Sequence, residues 1–227
     1  MSQQAFKATT AEDWARSDQY HNSFLHREDE ILDAALQNSN SNGLPEIAVS
    51  AAQGKFLNLL VSSIGAKKIL EVGTLGGYST IWLARALPAD GELITLELNE
   101  KHAKVAQENL DTAGLSSKVK VILGPAYQSM LELQPKPPFD FIFIDADKQG
   151  NKQYFTEAKR LVRKGGVIIV DNVVRYGRVA DPEYTDANVE GVRALLQAVK
   201  GDSEVEATTI GTVGDKGYDG FMYAVRK

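Results

Sequence analysis

The sequence predicts an α/β fold built on a doubly wound, mostly parallel sheet, and three observations carry that expectation. Five short apolar or β-branched runs, Lys67–Val72, Glu92–Glu97, Lys118–Leu123, Phe139–Asp145 and Gly165–Asp171, alternate with stretches of helical character. Their apolar character is almost unbroken, as strands covered by helices on both faces require. The first run leads directly into a glycine-rich turn and then a helix. Right-handed crossovers then place helices on both faces of the sheet and ligands at the carboxyl ends of its strands.

As far as Arg27 the chain reads as polar and helical, with Trp14, Tyr20 and Phe24 as apolar anchors. A second helical stretch, Glu28–Leu36, runs into the polar segment NSNSNG, where Gly43 and Pro45 mark a loop. Ser50–Ile64 has apolar residues at helical spacing, weakened at Gly54. These segments, residues 1–64, are expected to cap the sheet within one domain spanning 1–227. Between the five strands, helices are expected around Ser79–Ala86, Glu100–Ala113, Tyr127–Leu133 and Gln153–Val162. A long connection and a helix at Asp186–Val199 precede two last strands, Glu204–Gly211 and Phe221–Arg226. Only Val213–Gly220 separates that pair, too little for a crossover helix, so it is expected to be antiparallel.

Composition narrows the chemistry. The 227 residues include no Cys, which removes disulfides, thiolate metal sites and thiol nucleophiles. A formal net charge of −5 without a basic tract gives no support for nucleic-acid binding or an anionic membrane surface. The longest apolar runs are strand-length, far below the ~20 residues of a spanning helix. No apolar leader segment is visible at the start, so a cytoplasmic protein is the default expectation.

The turn after the first strand reads ILEVGTLGGYS, in which Gly73, Gly76 and Gly77 permit a ligand to approach the backbone. The spacing GxGxxG is not met. Glu71, just before the turn, would repel a pyrophosphate and attract an ammonium or sulfonium. Glu97 ends the second strand, about 20 residues on, where an acid binds ribose hydroxyls. Together the two describe a nucleoside with a cationic tail, S-adenosylmethionine; taken singly, either acid reads equally as a solvated strand end. Asp145 closes the fourth strand and Asp171-Asn172 close the fifth, so a doubly wound sheet brings all three to one crevice. Two carboxylates and an amide without His or Cys suit a hard cation, Mg2+ first, with Mn2+ or Ca2+ as alternatives. Loop capping is the other use of such residues. Lys148, three residues past Asp145, is either a surface lysine or a general base beside that cation. Asp147 reads as a helix N-cap or as an acceptor behind the site.

At these residues the sequence resembles the cation-dependent class I O-methyltransferases, a group that includes catechol and caffeoyl-CoA O-methyltransferases. The resemblance runs from about Ile47 to the C-terminus through VSAAQGKFL, ILEVGTLGGYST, FDFIFIDADK, VIIVDNV and GYDGFMYAV. It implies a Rossmann-like sheet of seven strands with the last pair antiparallel. It further implies that Glu71, Gly73, Thr74 and Ser79 contact the methionine portion of S-adenosylmethionine, with Val49 nearby and Asp145 also beside the cofactor. By the same resemblance Glu97 binds ribose and Ala126 contacts adenine, although GPA stands where many members have GDA. Asp145, Asp171 and Asn172 are then metal ligands, Lys148 and Asp145 are catalytic, and Tyr176 contacts the substrate. The implied reaction transfers a methyl group from sulfonium to a hydroxyl of a small aromatic with vicinal hydroxyls. Homodimers are common in the family.

Two variable regions are expected to select the acceptor: the helices around Tyr20–Arg27 and the loop holding Arg175, Tyr176, Arg178 and Tyr184. That loop reads equally as a cover over the crevice or as a loose surface connection. His21, His26 and His102 read as solvated, and Trp82 as core. An oxidoreductase or a nucleic-acid methyltransferase would share the sheet. The first lacks its glycine spacing and the second its basic surface. A noncatalytic cofactor-binding protein would have no use for Asp145, Lys148 and Asp171-Asn172 together.

Overall fold

The computed structural model describes residues 8–227. The first seven residues, read above as the start of the opening polar stretch, lie outside that range. Among the described residues the chain forms α1 (Ala11–Leu25), α2 (Glu30–Ser41) and α3 (Ala51–Ser63) before the sheet begins. There follow β1 (Lys68–Val72), α4 (Tyr78–Arg85), β2 (Glu92–Glu97), α5 (Glu100–Thr112) and β3 (Val119–Leu123). The second half is α6 (Ala126–Glu132), β4 (Phe139–Ile144), α7 (Asn151–Leu161), β5 (Val162–Val170), α8 (Ala187–Val199), β6 (Val205–Gly214) and β7 (Gly217–Arg226).

The strands form one seven-stranded sheet in the order β3-β2-β1-β4-β5-β7-β6. The first five pair in parallel, while β7 runs antiparallel to both β5 and β6. The expected fold class therefore holds. Sequence order reverses between β1 and β4, the switch point at which such sheets bind ligands. Period-two alternation divides the core between the two faces. Ile69, Leu93, Phe141, Phe143, Val167 and Ile169 pack toward α2, α3 and α4. Leu70, Val72, Ile142, Ile144, Ile168 and Val170 pack toward α7 and α8.

Three expected boundaries move, each for a local reason. The polar NSNS segment is not a loop but the last turn of α2, which ends at Ser41. Its polar side chains are used: Asn38 donates to Asn109 at 2.9 Å, and Ser39 donates to the Ala35 carbonyl at 2.7 Å. The connection expected over Val213–Gly220 shrinks to the two residues between Gly214 and Gly217, which pair across a tight hairpin. The fifth strand starts earlier, at Val162, because Arg163 reaches across to Asp140, which also receives the Lys67 and Lys68 N–H groups. Helix α1 is fixed at its start by a capping box between Thr10 and Asp13 and buries no residue fully. Among the described residues no helix is long and apolar enough to cross a membrane.

Candidate active site

A cavity of about 640 Å3 opens at the carboxyl ends of the strands, around the switch point between β1 and β4. Val49, Gly73, Thr74, Ser79, Glu97, Ala126, Asp145, Lys148 and Asn172 all line it. Nine of the residues singled out from sequence therefore meet at one wall. Glu71, Asp171 and Tyr176 do not reach that wall.

The turn after β1 is shaped by a close approach. Gly73 has φ +103°, and an added Cβ would come within 2.3 Å of the Asp145 carbonyl oxygen, so only glycine lets β1 and β4 end side by side here. Glu97 then fastens the turn from β2. Its Oε2 accepts the Leu75 N–H at 2.8 Å and the Thr74 N–H at 3.2 Å, and Oε1 accepts the Asn99 N–H at 2.9 Å. The carboxylate is held by three backbone donors and still lines the cavity, which leaves it acceptor capacity there. His102, read as solvated from sequence, lines the same cavity with Nδ1 3.7 Å from Glu97 Oε1.

Glu71 lies deeper than the other acids of the site. It is 0% exposed, on the sheet face of Ile69, behind the cavity wall. Its carboxyl accepts hydroxyls from Ser79 at 2.6 Å, Thr95 at 2.7 Å and Thr80. Burial pushes its pKa up to about 7 against the pull of these three donors. Of these hydroxyls, the Ser79 one belongs to a cavity-lining residue, so Glu71 reaches the cavity through Ser79.

At the other end, Lys148 is 7% exposed and donates to Asp145 Oδ1 at 2.7 Å. It sits in a 3-10 turn, Lys148–Gly150, that Asp147 caps by accepting the Gly150 N–H at 3.0 Å. Asp147 thus takes the N-cap reading, and it also accepts the Tyr154 hydroxyl. Burial and that neighbouring carboxylate hold the Tyr154 phenol well above its usual range. Gly191 of α8 lets the turn pack tightly, since a Cβ there would meet the Lys148 carbonyl at 2.1 Å. Asp171, 4% exposed, lies just behind the wall. It receives the Asn172 N–H at 2.8 Å and the side-chain amide of Gln53 at 2.7 Å. Its carboxyl is pushed well above the ordinary range by burial and by the facing Asp145, with Lys148 opposing. Among the described residues no group of three or more His, Asp or Glu side chains forms a metal cluster. The donor set here is two aspartates, which repel each other, and one asparagine, and such oxygen donors suit a hard divalent cation.

Tyr176 lies outside the cavity, 60% exposed with φ +58°, and its hydroxyl points to the Lys216 carbonyl at 3.4 Å. Arg175, its neighbour, lines the cavity instead. Sequence reading also passed over Gln53, although it stands inside the VSAAQGKFL motif, and Asn188 at the start of α8. Ala126 and Tyr127 follow Pro125, which occupies the N-cap of α6 and offers no side-chain hydrogen bond. The adenine-side departure noted in sequence is thus a proline capping a helix start.

A nucleoside-sized cavity at the switch point of this sheet, with an acid on β2 and a carboxylate–lysine cluster after β4, defines a nucleoside-cofactor group-transfer enzyme. The family model for O-methyltransferases matches residues 22–226. Catechol O-methyltransferases of Niastella koreensis and Mycobacterium tuberculosis are each 48% identical to this chain. Their alignments cover 92% of this chain and 96% and 94% of the relatives, respectively. A solved O-methyltransferase from Bacillus cereus, in complex with SAH, superposes with a TM-score of 0.94 at 49% identity, over 96% of this chain and 100% of that one. The chain belongs to the O-methyltransferase family, and with it to the S-adenosylmethionine-dependent methyltransferases.

Proposed function

We propose that this protein is a divalent-cation-dependent O-methyltransferase that methylates one hydroxyl of a catechol-type small aromatic. The observation that carries the reading is the cluster of Asp145, Asn172 and Lys148 lining the same cavity as Glu97, with Asp171 just behind them. The names of the two relatives at 48% identity agree with a catechol acceptor.

In this reading Glu97 takes the ribose hydroxyls and Ala126 lies against the adenine. Val49, Gly73, Thr74 and Ser79 surround the methionine portion, with Glu71 holding Ser79 from behind and Asp145 closing that side. Asp145, Asp171 and Asn172 would hold the cation, most simply Mg2+. When bound, such an ion lowers the pKa of an acceptor hydroxyl, while S-adenosylmethionine supplies the methyl group. Lys148 is the base that receives the acceptor's proton, and its burial keeps water from competing for that site. Gln53 orients Asp171, and Asp147 fixes the turn that carries Lys148. One domain, 1–227, holds both sites. We read it as a cytoplasmic enzyme working as a homodimer. The open edge of β6, exposed from Glu206 through Val213, supports a second copy as partner.

Methyl transfer from S-adenosylmethionine to catechol, measured with Mg2+ and with excess chelator, tests this. We expect a monomethyl ether whose formation the chelator abolishes and Mg2+ restores. Formation at an equal rate in chelator would reject the cation; no ether from any vicinal diol would reject the acceptor class.

A further inference from the structure

Three arginines gather near the long connection between β5 and α8, and the structure separates their roles. Arg178 lies over the Tyr184 ring, 4.9 Å from its centroid. Arg193 is spent on Glu190 at 2.6 Å and on the carbonyls of Val179, Arg178 and Asp181. Arg175 has neither a carboxylate within ion-pair distance nor any side-chain hydrogen bond among the described residues, yet it is half-buried in the cavity wall. Its backbone is held firmly. The Arg175 N–H donates to Asp219 Oδ1 at 2.8 Å, beside the Val174 N–H at 3.1 Å, and the Tyr176 N–H donates to the Tyr218 carbonyl. This framework holds Arg175 at φ +52°, a conformation that non-glycine residues rarely adopt.

The charges around the cavity make an unspent guanidinium informative. Lys148, the other lysine or arginine lining the cavity, is paired to Asp145. One carboxylate whose field reaches Arg175 is Asp186. It is already engaged by the Val189 N–H at 2.8 Å and the Tyr184 hydroxyl at 3.1 Å. Asn188 also lines the cavity, with a side-chain amide that no residue engages among those described. A guanidinium without a protein partner, carried on a fixed backbone at a cavity wall, is suited to receive a carboxylate.

We propose that Arg175 binds a carboxylate on the ring substituent of the acceptor, so that the enzyme selects anionic aromatic diols over neutral ones. This rests on the catechol reading above. The diol end sits by Asp145 and Asn172, and Arg175, three residues beyond Asn172 on the same wall, meets the far end of the acceptor. It is a specificity residue. The cofactor's own methionine carboxylate is the competing guest.

Caffeate and its methyl ester separate these cases, because both substituents withdraw electrons from the ring and only one carries the charge. We expect kcat/KM for caffeate to exceed that for the ester by about ten- to hundredfold, the worth of a charge-assisted hydrogen bond. In Arg175→Gln that ratio should fall to near one while the KM for S-adenosylmethionine holds, and Arg175→Lys should recover part of it. Equal kcat/KM for acid and ester in the native enzyme would overturn the proposal. So would a ratio that Arg175→Gln leaves intact. A raised KM for S-adenosylmethionine with the ratio unchanged would instead assign the guanidinium to the cofactor. Calorimetric binding of caffeate and of its ester to the SAH complex, with Mg2+ present, reads the same preference without turnover. Absent methylation would therefore count against the catechol reading, while the binding ratio still decides the role of Arg175.

Discussion

Two pairs of acids stand at the cavity, one member of each lining it and the other just behind the wall, and they are built on opposite plans. On β1 and β2, Glu71 and Glu97 are wrapped in donors: three hydroxyls around one, three backbone N–H groups around the other. After β4 and β5, Asp145 and Asp171 face each other, and Lys148 is the nearby cation that the chain supplies. Glu71 and Asp171 are both pushed toward the neutral form by burial first and by Asp145 as well, but with different weights and different opposing groups. At Glu71 burial comes first and three hydroxyls oppose it, with Asp145 adding only the smallest push. At Asp171 burial is joined by a second carboxylate. The first pair is complete without a ligand, whereas the second carries a charge imbalance that one more cation would relieve. Binding a neutral ribose needs the former; activating a hydroxyl needs the latter.

Removing a member of the second pair should have the largest effect. Asp171→Ala is expected to abolish cation-stimulated methyl transfer and to weaken Mg2+ affinity by more than about a hundredfold, beyond the usual cost of losing a supporting contact. Titration calorimetry with Mg2+ reads this directly, and unchanged affinity would break the contrast between the pairs. Lys148→Ala sharpens it. Turnover should drop by about 10²- to 10⁴-fold, the range for a lost general base, while S-adenosylmethionine still binds. With the competing ammonium gone, Mg2+ affinity should hold or rise. A fall would show that Lys148 supports the cation site rather than sharing its negative charge.

The sheet was legible because buried parallel strands write themselves as apolar runs, from Leu70 through Ile168, and Asp145 and Asp171-Asn172 punctuate their ends. Residues whose roles depend on partners far along the chain were not legible. Gln53 stands 118 positions from Asp171, and nothing in its helix marks the amide as reaching the sheet. Asn38 and Ser39 looked like a loop because their partners, Asn109 and the Ala35 carbonyl, are supplied only by folding. Tyr176 and Arg175 are adjacent in sequence. Which of them faces the cavity is set by the Asp219 and Tyr218 contacts to their backbones, and periodicity carries no trace of that. For Glu71, an acid before a glycine turn reads as a ligand contact, and what the sequence does not show is its depth: the strand's alternation turns it under α4, beside Thr80.

The smallest effect should come from Glu71, and it discriminates between a buried framework acid and a cofactor ligand. Its carboxyl, ordinarily near 4.5, titrates at about 7 in the folded chain. Between those values the native state holds a proton that the unfolded chain has lost, so stability falls as pH rises through that window and levels off above about 7. Glu71→Gln keeps the shape and the hydrogen-bonding capacity but cannot ionise. In chelator, its urea midpoint should therefore gain on the native protein as pH rises from about 5 to about 7 and keep a constant lead beyond. Parallel curves would mean that the three hydroxyls fully compensate the charge. The same variant measured for S-adenosylmethionine affinity should lose little, because Ser79 rather than Glu71 lines the cavity. A loss as large as that of Glu97→Gln would move Glu71 from the framework to the cofactor's ammonium, and the first pair would no longer be complete without its ligand.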